Sequence, residues 1–340
     1  MRNRQAMKKQ IRYIDLFCGV GGFRYAMTQA SKEVGLSAEC VFSSDIDSDC
    51  QSVYADNFGE RPVGDITQIA PMDIPDHDVL LAGFPCQPFS IIGMKKGFED
   101  TRGTLFFNIA SILEKKSPRA FVLENVKLLK GHDSGRTLRR IIETLVGLGY
   151  FATYRVFNAR DFGLPQNRER IFIVGFKDMM DFRWPVVNMP MKPLSEILEH
   201  RVPQTYYVSD KIRQQRLERC ENRNPVKPGI WHENKAGHIS VYPYSCALRA
   251  GASYNYLLVD GRRRLTGREM FRLQGFPESF LVPETYGVAR HQAGNSLPIP
   301  VAQAVIRSVL SGFKPFTYQM LRQDSKMGTR VYEEGVLYGT

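Results

Sequence analysis

The chain has 340 residues, 43% hydrophobic and 24% charged, enough for one large core or two domains, which excludes a disordered, collagen-like or small disulfide-stapled protein. No stretch approaches the roughly 20 uninterrupted apolar residues of a membrane span. The formal charge of +11 is uneven: residues 191–290 carry +6 and residues 1–12 carry +5, a separation that suggests a polyanionic partner.

From Arg12 to about Phe176, short apolar runs alternate with longer amphipathic segments, the pattern of a doubly wound α/β domain around a parallel sheet. Strands are predicted at Tyr13–Phe17, Cys40–Ser44, Val79–Ala82, Ala120–Glu124, Phe151–Asn158 and Arg170–Phe176. Helices are predicted at Phe23–Glu33, Asp49–Asn57, Thr104–Lys116 and Arg136–Gly147, where apolar residues recur at three- and four-residue spacing. The proline-punctuated stretch Trp184–Pro193 ends the alternation. A first domain is therefore expected over residues 1–189, a smaller, irregular and mostly-β domain over 190–285, and a last part over 286–340 that returns to the first. Further helices are predicted at Thr266–Leu273 and Ile299–Leu310. Tyr242, Tyr244, Tyr254 and Tyr256 alternate at strand spacing and read as a small core rather than a stacking platform. The basic N-terminus lacks the apolar run of a signal peptide, and the six cysteines have no metal-ligand spacing, so a cytoplasmic protein with free thiols and no metal is expected.

The first strand runs into Asp15-Leu16-Phe17-Cys18-Gly19-Val20-Gly21-Gly22-Phe23, a glycine-rich turn that lets backbone approach a ligand closely. Asp45, at the end of the next strand, is placed to accept hydrogen bonds from both hydroxyls of a ribose, and Asp65, at a third candidate strand end, could hold an adenine amino group. For each aspartate the plainer alternative is a helix cap. Gly83-Phe84-Pro85-Cys86-Gln87-Pro88 follows an apolar strand, where α/β folds place their chemistry. Pro85 restrains the backbone there. One strand along, Leu123-Glu124-Asn125-Val126 puts a carboxylate beside that thiol, and Arg168-Glu169-Arg170 supplies two arginines.

These segments, with GDITQ (64–68), KGFEDTRGTLFF (96–107), QNRERIF (166–172), RRLTGREMFRLQGFPE (263–278) and GNSLPIPVAQAV (294–305), resemble the DNA (cytosine-5)-methyltransferase family, most closely its compact bacterial HhaI type. The likeness covers the chain except about 190–260. It implies a Rossmann-like S-adenosylmethionine-dependent methyltransferase domain with a target-recognition domain over 190–285. It makes Cys86 the nucleophile and Glu124 the contact to the N3 edge of a flipped cytosine, supported by Arg168 and Arg170. Phe17, Gly19, Gly21, Asp45, Ile46, Asp65, Ile66, Pro85 and Leu105 would surround S-adenosyl-L-methionine, with Asn295 and Ser296 closing the pocket. Gln87 and Ser90 would contact double-stranded DNA, as would Lys95, Lys96 and Arg102 on a loop, Ile91–Gly103, expected to close over the base. Trp231–His238 and Ser245–Tyr256 are the candidate base-reading stretches, and Arg249 could form a bidentate contact with guanine. Arg262, Arg263 and Arg264 read as phosphate contacts or a solvated hinge. A restriction or antiphage defence system as partner, and a monomer, are expectations from the same likeness. A tRNA-modifying subfamily shares these motifs, but its Cys-Phe-Thr signature is missing from the second domain. A catalytically silent relative would not need Cys86, Glu124 and Arg168 together, and a nicotinamide-dependent dehydrogenase would share only the glycine turn and the acidic residue.

Overall fold

A computed structural model describes residues 10–85, 105–186, 188–220, 222 and 224–313. Its centre is a six-stranded sheet in the order β2-β1-β3-β4-β7-β5. The strands are β1 (Gln10–Leu16), β2 (Ser37–Ser44), β3 (Val79–Gly83), β4 (Ala120–Val126), β5 (Phe151–Asn158) and β7 (Glu169–Phe176), with a two-residue β6 (Gln166–Asn167) before β7. The first four are parallel, as crossover connections through helices require. The sheet is parallel-dominated as expected, with β7 alone running antiparallel, to both β4 and β5. The reason lies in the connection: only about ten residues separate β5 from β7, too few for a crossover helix.

Side-chain alternation splits the sheet into two faces. Val79 and Leu81 of β3 pack with α1 (Gly22–Glu33), α2 (Ser48–Phe58) and α8 (Ile299–Gly312). Leu80 and Ala82 pack on the other face with α3 (Leu105–Lys116) and α4 (Arg136–Gly147). Every helix expected from periodicity forms within one or two residues of its predicted ends. The helix predicted at Thr266–Leu273 is α6 (Gly267–Gln274), with Thr266 as its cap: the Thr266 hydroxyl accepts from the Glu269 N–H, and the Glu269 carboxylate reaches back to the Thr266 N–H.

Two helices escaped the sequence pattern. One is α5 (Asp210–Glu218), whose residues DKIRQQRLE offer almost no apolar face; the other is α7 (Tyr286–Asn295). Residues 190–285 otherwise hold a three-stranded antiparallel sheet of β8 (Ile230–Glu233), β9 (Ile239–Tyr242) and β11 (Leu257–Val259), ordered β11-β8-β9. The short β10 (Ser245–Cys246) pairs instead with β6 of the first region. The apolar core is continuous across the seam, because Leu194, Ile230, Leu248 and Leu257 join the cluster built on α1 and α8.

The tyrosine core holds for one member of the four. Tyr256 is buried, Tyr254 is exposed, and Tyr242 and Tyr244 stack on each other half-buried. Strand spacing fails as a guide here because β9 ends at Tyr242 and Pro243 breaks the alternation. Among the described residues no helix is long and apolar enough to cross a membrane.

Candidate active site

A cavity of about 520 Å³ opens at the carboxyl ends of β1, β2, β3 and β4. Its first wall is the turn after β1. Phe17 and Gly19 both have left-handed backbone, with φ of 54° and 52°, and Phe17 holds that conformation as a non-glycine residue. Asp45 ties this turn to the end of β2: one carboxylate oxygen accepts from the Gly19 N–H at 2.7 Å and the other from the Asp47 N–H at 2.9 Å. An ionised carboxylate keeps further lone pairs after two such bonds, so Asp45 can still accept from a ligand. Burial raises its pKa, and the two N–H donors pull it back. Beside it, Ile46 is 75% exposed on the cavity rim, an apolar side chain open to a ligand.

Asp65 follows a single bridge between Ser44 and Val63 rather than a full strand, and it caps a short 3₁₀ turn through the Thr67 N–H at 2.9 Å. It still lines the cavity, together with Ile66, Pro85, Leu105, Asn295 and Ser296. Gly21 does not line it. Gly21 enters α1 at φ 88°, and an added Cβ would lie 2.2 Å from the Phe58 ring.

The second wall is formed by β4 and β7. Glu124 is buried and pairs with Arg170, Nε to Oε1 at 2.9 Å, across the antiparallel register that also sets Val126 opposite Arg170. Burial lifts the Glu124 carboxyl above the ordinary carboxylate range, and the charges of Arg170 and Arg168 oppose that rise. Asn125, quoted in the motif but given no role, donates from its amide to the Phe84 carbonyl at 2.9 Å, two residues before Cys86. Arg168 behaves differently from Arg170. Its guanidinium is almost fully buried and donates to the Leu248, Gly294 and Ser296 carbonyls at 2.9, 2.9 and 2.6 Å. The two arginines therefore do not act alike: Arg170 holds the carboxylate, and Arg168 fastens the second region and α7 to the cavity wall.

Gln166 completes that seam. Its amide N–H donates to the Leu273 carbonyl at 2.8 Å, and its amide oxygen accepts from the Leu248 N–H at 3.1 Å. Arg249 is exposed, with its guanidinium 4.7 Å above the Tyr256 ring, outside the cavity. Arg263 is corrected from phosphate contact or solvated hinge to internal anchor, since it is buried and makes two 2.8 Å bonds to the Glu269 carboxylate. The net +6 of residues 191–290 is untouched by this pair, since Glu269 lies in the same segment, but Arg263 is not among the cations on its surface. The expected roles of Cys86, Gln87, Ser90, Lys95, Lys96 and Arg102 lie outside the described residues.

The chain is 56% identical over 293 residues to the Type II methyltransferase M.NgoBI of Neisseria gonorrhoeae, covering 86% of this chain and 90% of that protein. It is 39% identical over 331 residues to the Type II methyltransferase M.HhaI of Haemophilus parahaemolyticus, covering 90% of this chain and 97% of that one. The M.NgoBI likeness is thus the stronger of the two. Among solved structures, the Entamoeba histolytica methyltransferase EhMeth aligns with a TM-score of 0.70 at 17% identity, covering 91% of this chain and all of that one, a likeness of fold. The family model described as C-5 cytosine-specific DNA methylase matches residues 11–311, and with these relatives it establishes that the chain belongs to the C-5 cytosine-specific DNA methylase family.

Proposed function

We propose that this chain methylates carbon 5 of a cytosine flipped out of duplex DNA, in a defined sequence, through a covalent adduct of Cys86 at carbon 6. The observation that carries the reading is the buried Glu124–Arg170 pair on the wall of the cavity whose other wall is the glycine turn tied to Asp45. The donor set fits S-adenosylmethionine. Asp45 and Asp65 offer carboxylate acceptors for ribose hydroxyls and an amino group, while Phe17, Ile46, Pro85 and Leu105 offer apolar surface for a flat ring. When bound, S-adenosylmethionine supplies an electrophilic methyl group.

The protein's own residues have to make carbon 5 nucleophilic. The Cys86 thiolate adds to carbon 6, and the ring electron pair shifts toward carbon 5 as Glu124, carrying a proton, donates to N3. A raised carboxyl pKa suits that donor. Arg170 fixes the direction of Glu124, and Asn125 holds the backbone at Phe84. Once carbon 5 has been alkylated, loss of its proton and departure of the Cys86 thiolate restore the ring. Carbon 6 is out of reach within a stacked duplex, so the cytosine has to leave the stack. A cognate restriction or antiphage system is the proposed setting, supported by relatives that are Type II methyltransferases.

Incubating the protein with labelled S-adenosylmethionine and either unmethylated genomic DNA or tRNA tests the reading. Label recovered as 5-methylcytosine in DNA, lost in Cys86→Ala, is the expected result. Label confined to tRNA would move the chain to the tRNA-modifying branch of the fold.

A further inference from the structure

We infer that the segment following β4, running into the first turns of α4, is a second contact surface for the DNA backbone, on the side of the active site opposite the target-recognition region. The inference rests on the function proposed above and names residues that no motif of the sequence assigned. Residues 127–140 read KLLKGHDSGRTLRR, with five lysines and arginines against one aspartate. Two of those cations are spent internally: Lys127 pairs with Glu169 at 2.8 Å, and Arg136 pairs with Asp133. Lys130, Arg139 and Arg140 are exposed and enter no ion pair among the described residues.

Their placement follows from the topology. Glu124, Asn125 and Val126 line the cavity, and Lys130 lies six residues beyond Glu124, within about 20 Å along even a fully extended chain. Because α4 returns from the carboxyl end of β4, its first turns stand at the same edge of the sheet as the cavity mouth. Leu129 is buried in the core shared by α3 and α4, which anchors the segment to one layer. The target-recognition region is anchored to the other layer, through Leu248 and Leu257 in the core of α1 and α8. A polyanion lying across the cavity mouth would therefore meet cations from both layers. Leu128, next to the buried Leu129, is 79% exposed between Lys127 and Lys130, with no apolar partner in that core. Lysines flanking a lone exposed leucine match a sugar-phosphate backbone, which offers anionic oxygens and an apolar sugar face at short spacing.

Charge anywhere on the molecule attracts DNA to some degree, so the test compares two pairs of neutralisations. Lys130→Gln with Arg139→Gln changes the proposed surface. Lys32→Gln with Lys115→Gln removes the same charge from exposed positions at the ends of α1 and α3, at the opposite edge of the sheet. The readout is the dependence of duplex affinity on salt, measured with a short fluorescent duplex by anisotropy.

Each phosphate contact contributes about 0.9 to the slope of log affinity against log salt. The surface pair is expected to lower that slope by about 1.8 and to weaken target and non-target duplexes alike, while the control pair leaves the slope at the wild-type value. Leu128→Ser is expected to weaken duplex binding several-fold with an unchanged slope. Equal slopes for the surface pair and wild type, or an equal loss in the control pair, would overturn the inference while leaving the enzyme a DNA methyltransferase. A wild-type protein that neither binds duplex in a salt-dependent manner nor forms 5-methylcytosine would bring down the proposed function itself.

Discussion

The cavity wall and the region of residues 190–285 are built on different principles. Around the cavity, regular elements position the chemistry: four parallel strands end at one edge, and Phe17, Asp45, Pro85 and Glu124 sit on those ends or one or two residues past them. Residues 190–285 have a small sheet and two helices of their own, but single buried polar side chains, two of them from the first region, hold their loops to the cavity wall. Arg168, Gln166 and Arg263 hold loop backbone in place through bonds of 2.6–3.1 Å to main-chain groups and to Glu269. A site made by strand ends can lose one side chain and keep its shape. A region pinned by buried side chains cannot, because each lost donor leaves unpaired acceptors behind.

The largest expected effect breaks the chemistry without touching the frame. Glu124→Gln keeps the volume and a hydrogen-bonding group facing Arg170 but removes the proton donor to N3. Methyl transfer is expected to fall by roughly 10²–10⁴-fold, with the thermal midpoint nearly unchanged. A turnover close to wild type would remove Glu124 from the mechanism.

Arg168→Met reverses that balance. It strands the buried Leu248 and Gly294 carbonyls and the part-buried Ser296 carbonyl, a buried one being worth about 1–3 kcal/mol when left unpaired. The variant is expected to lose at least about 2 kcal/mol in denaturant titrations, whereas Arg170→Met loses mainly turnover. Similar stability losses in the two variants would erase the distinction between the arginines.

Gly294→Ala probes the same seam through packing. An added Cβ would sit 2.4 Å from the Ala250 backbone nitrogen, so the loop carrying Arg249 has to shift. A cost of about 1–3 kcal/mol is expected, together with weaker binding of a non-reactive cofactor analogue by calorimetry, because Asn295 and Ser296 lie next to the glycine on the cavity wall. Wild-type stability and affinity would show that the seam is slack.

On the cavity side, Asp15 is fully buried on β1 with neither carboxylate oxygen hydrogen-bonded among the described residues. Burial pushes its carboxyl up to about 8, against the pull of Arg24. The folded state therefore favours the protonated form. Its contribution is complete below the ordinary carboxylate pKa of about 3.9 and is lost as pH rises through about 8. Asp15→Asn should gain on wild type in thermal midpoint as pH is raised from acid to neutral, with the gap levelling off above that value. A gap independent of pH would mean that Asp15 is ionised in the fold.

Legibility in the sequence divides along the same line. The helices of the first region were readable because an amphipathic stripe repeats every three or four residues, and the strand ends were readable because each carries a short motif after an apolar run. The reversed direction of β7 was not visible, since a buried parallel strand and a buried antiparallel strand have the same composition; the clue lay in the short β5–β7 connection. α5 was missed because it has no apolar face, and Arg263 was misplaced because a buried, paired arginine looks like any surface arginine until Glu269 is seen beside it. The roles of Arg168 and Asn125 are made by backbone carbonyls distant in sequence, which no local pattern encodes.

The central claim is that this cavity presents cytosine to a nucleophilic Cys86, and the most direct test is to trap the adduct. A duplex carrying 5-fluorocytosine offers no proton at carbon 5 to lose, so the elimination that frees the enzyme cannot occur. With S-adenosylmethionine present, a denaturation-resistant protein–DNA complex should form, map by peptide mass to Cys86, and be absent in Cys86→Ala. A complex mapped to another residue, or 5-methylcytosine formed at the wild-type rate by Cys86→Ala, would contradict the account.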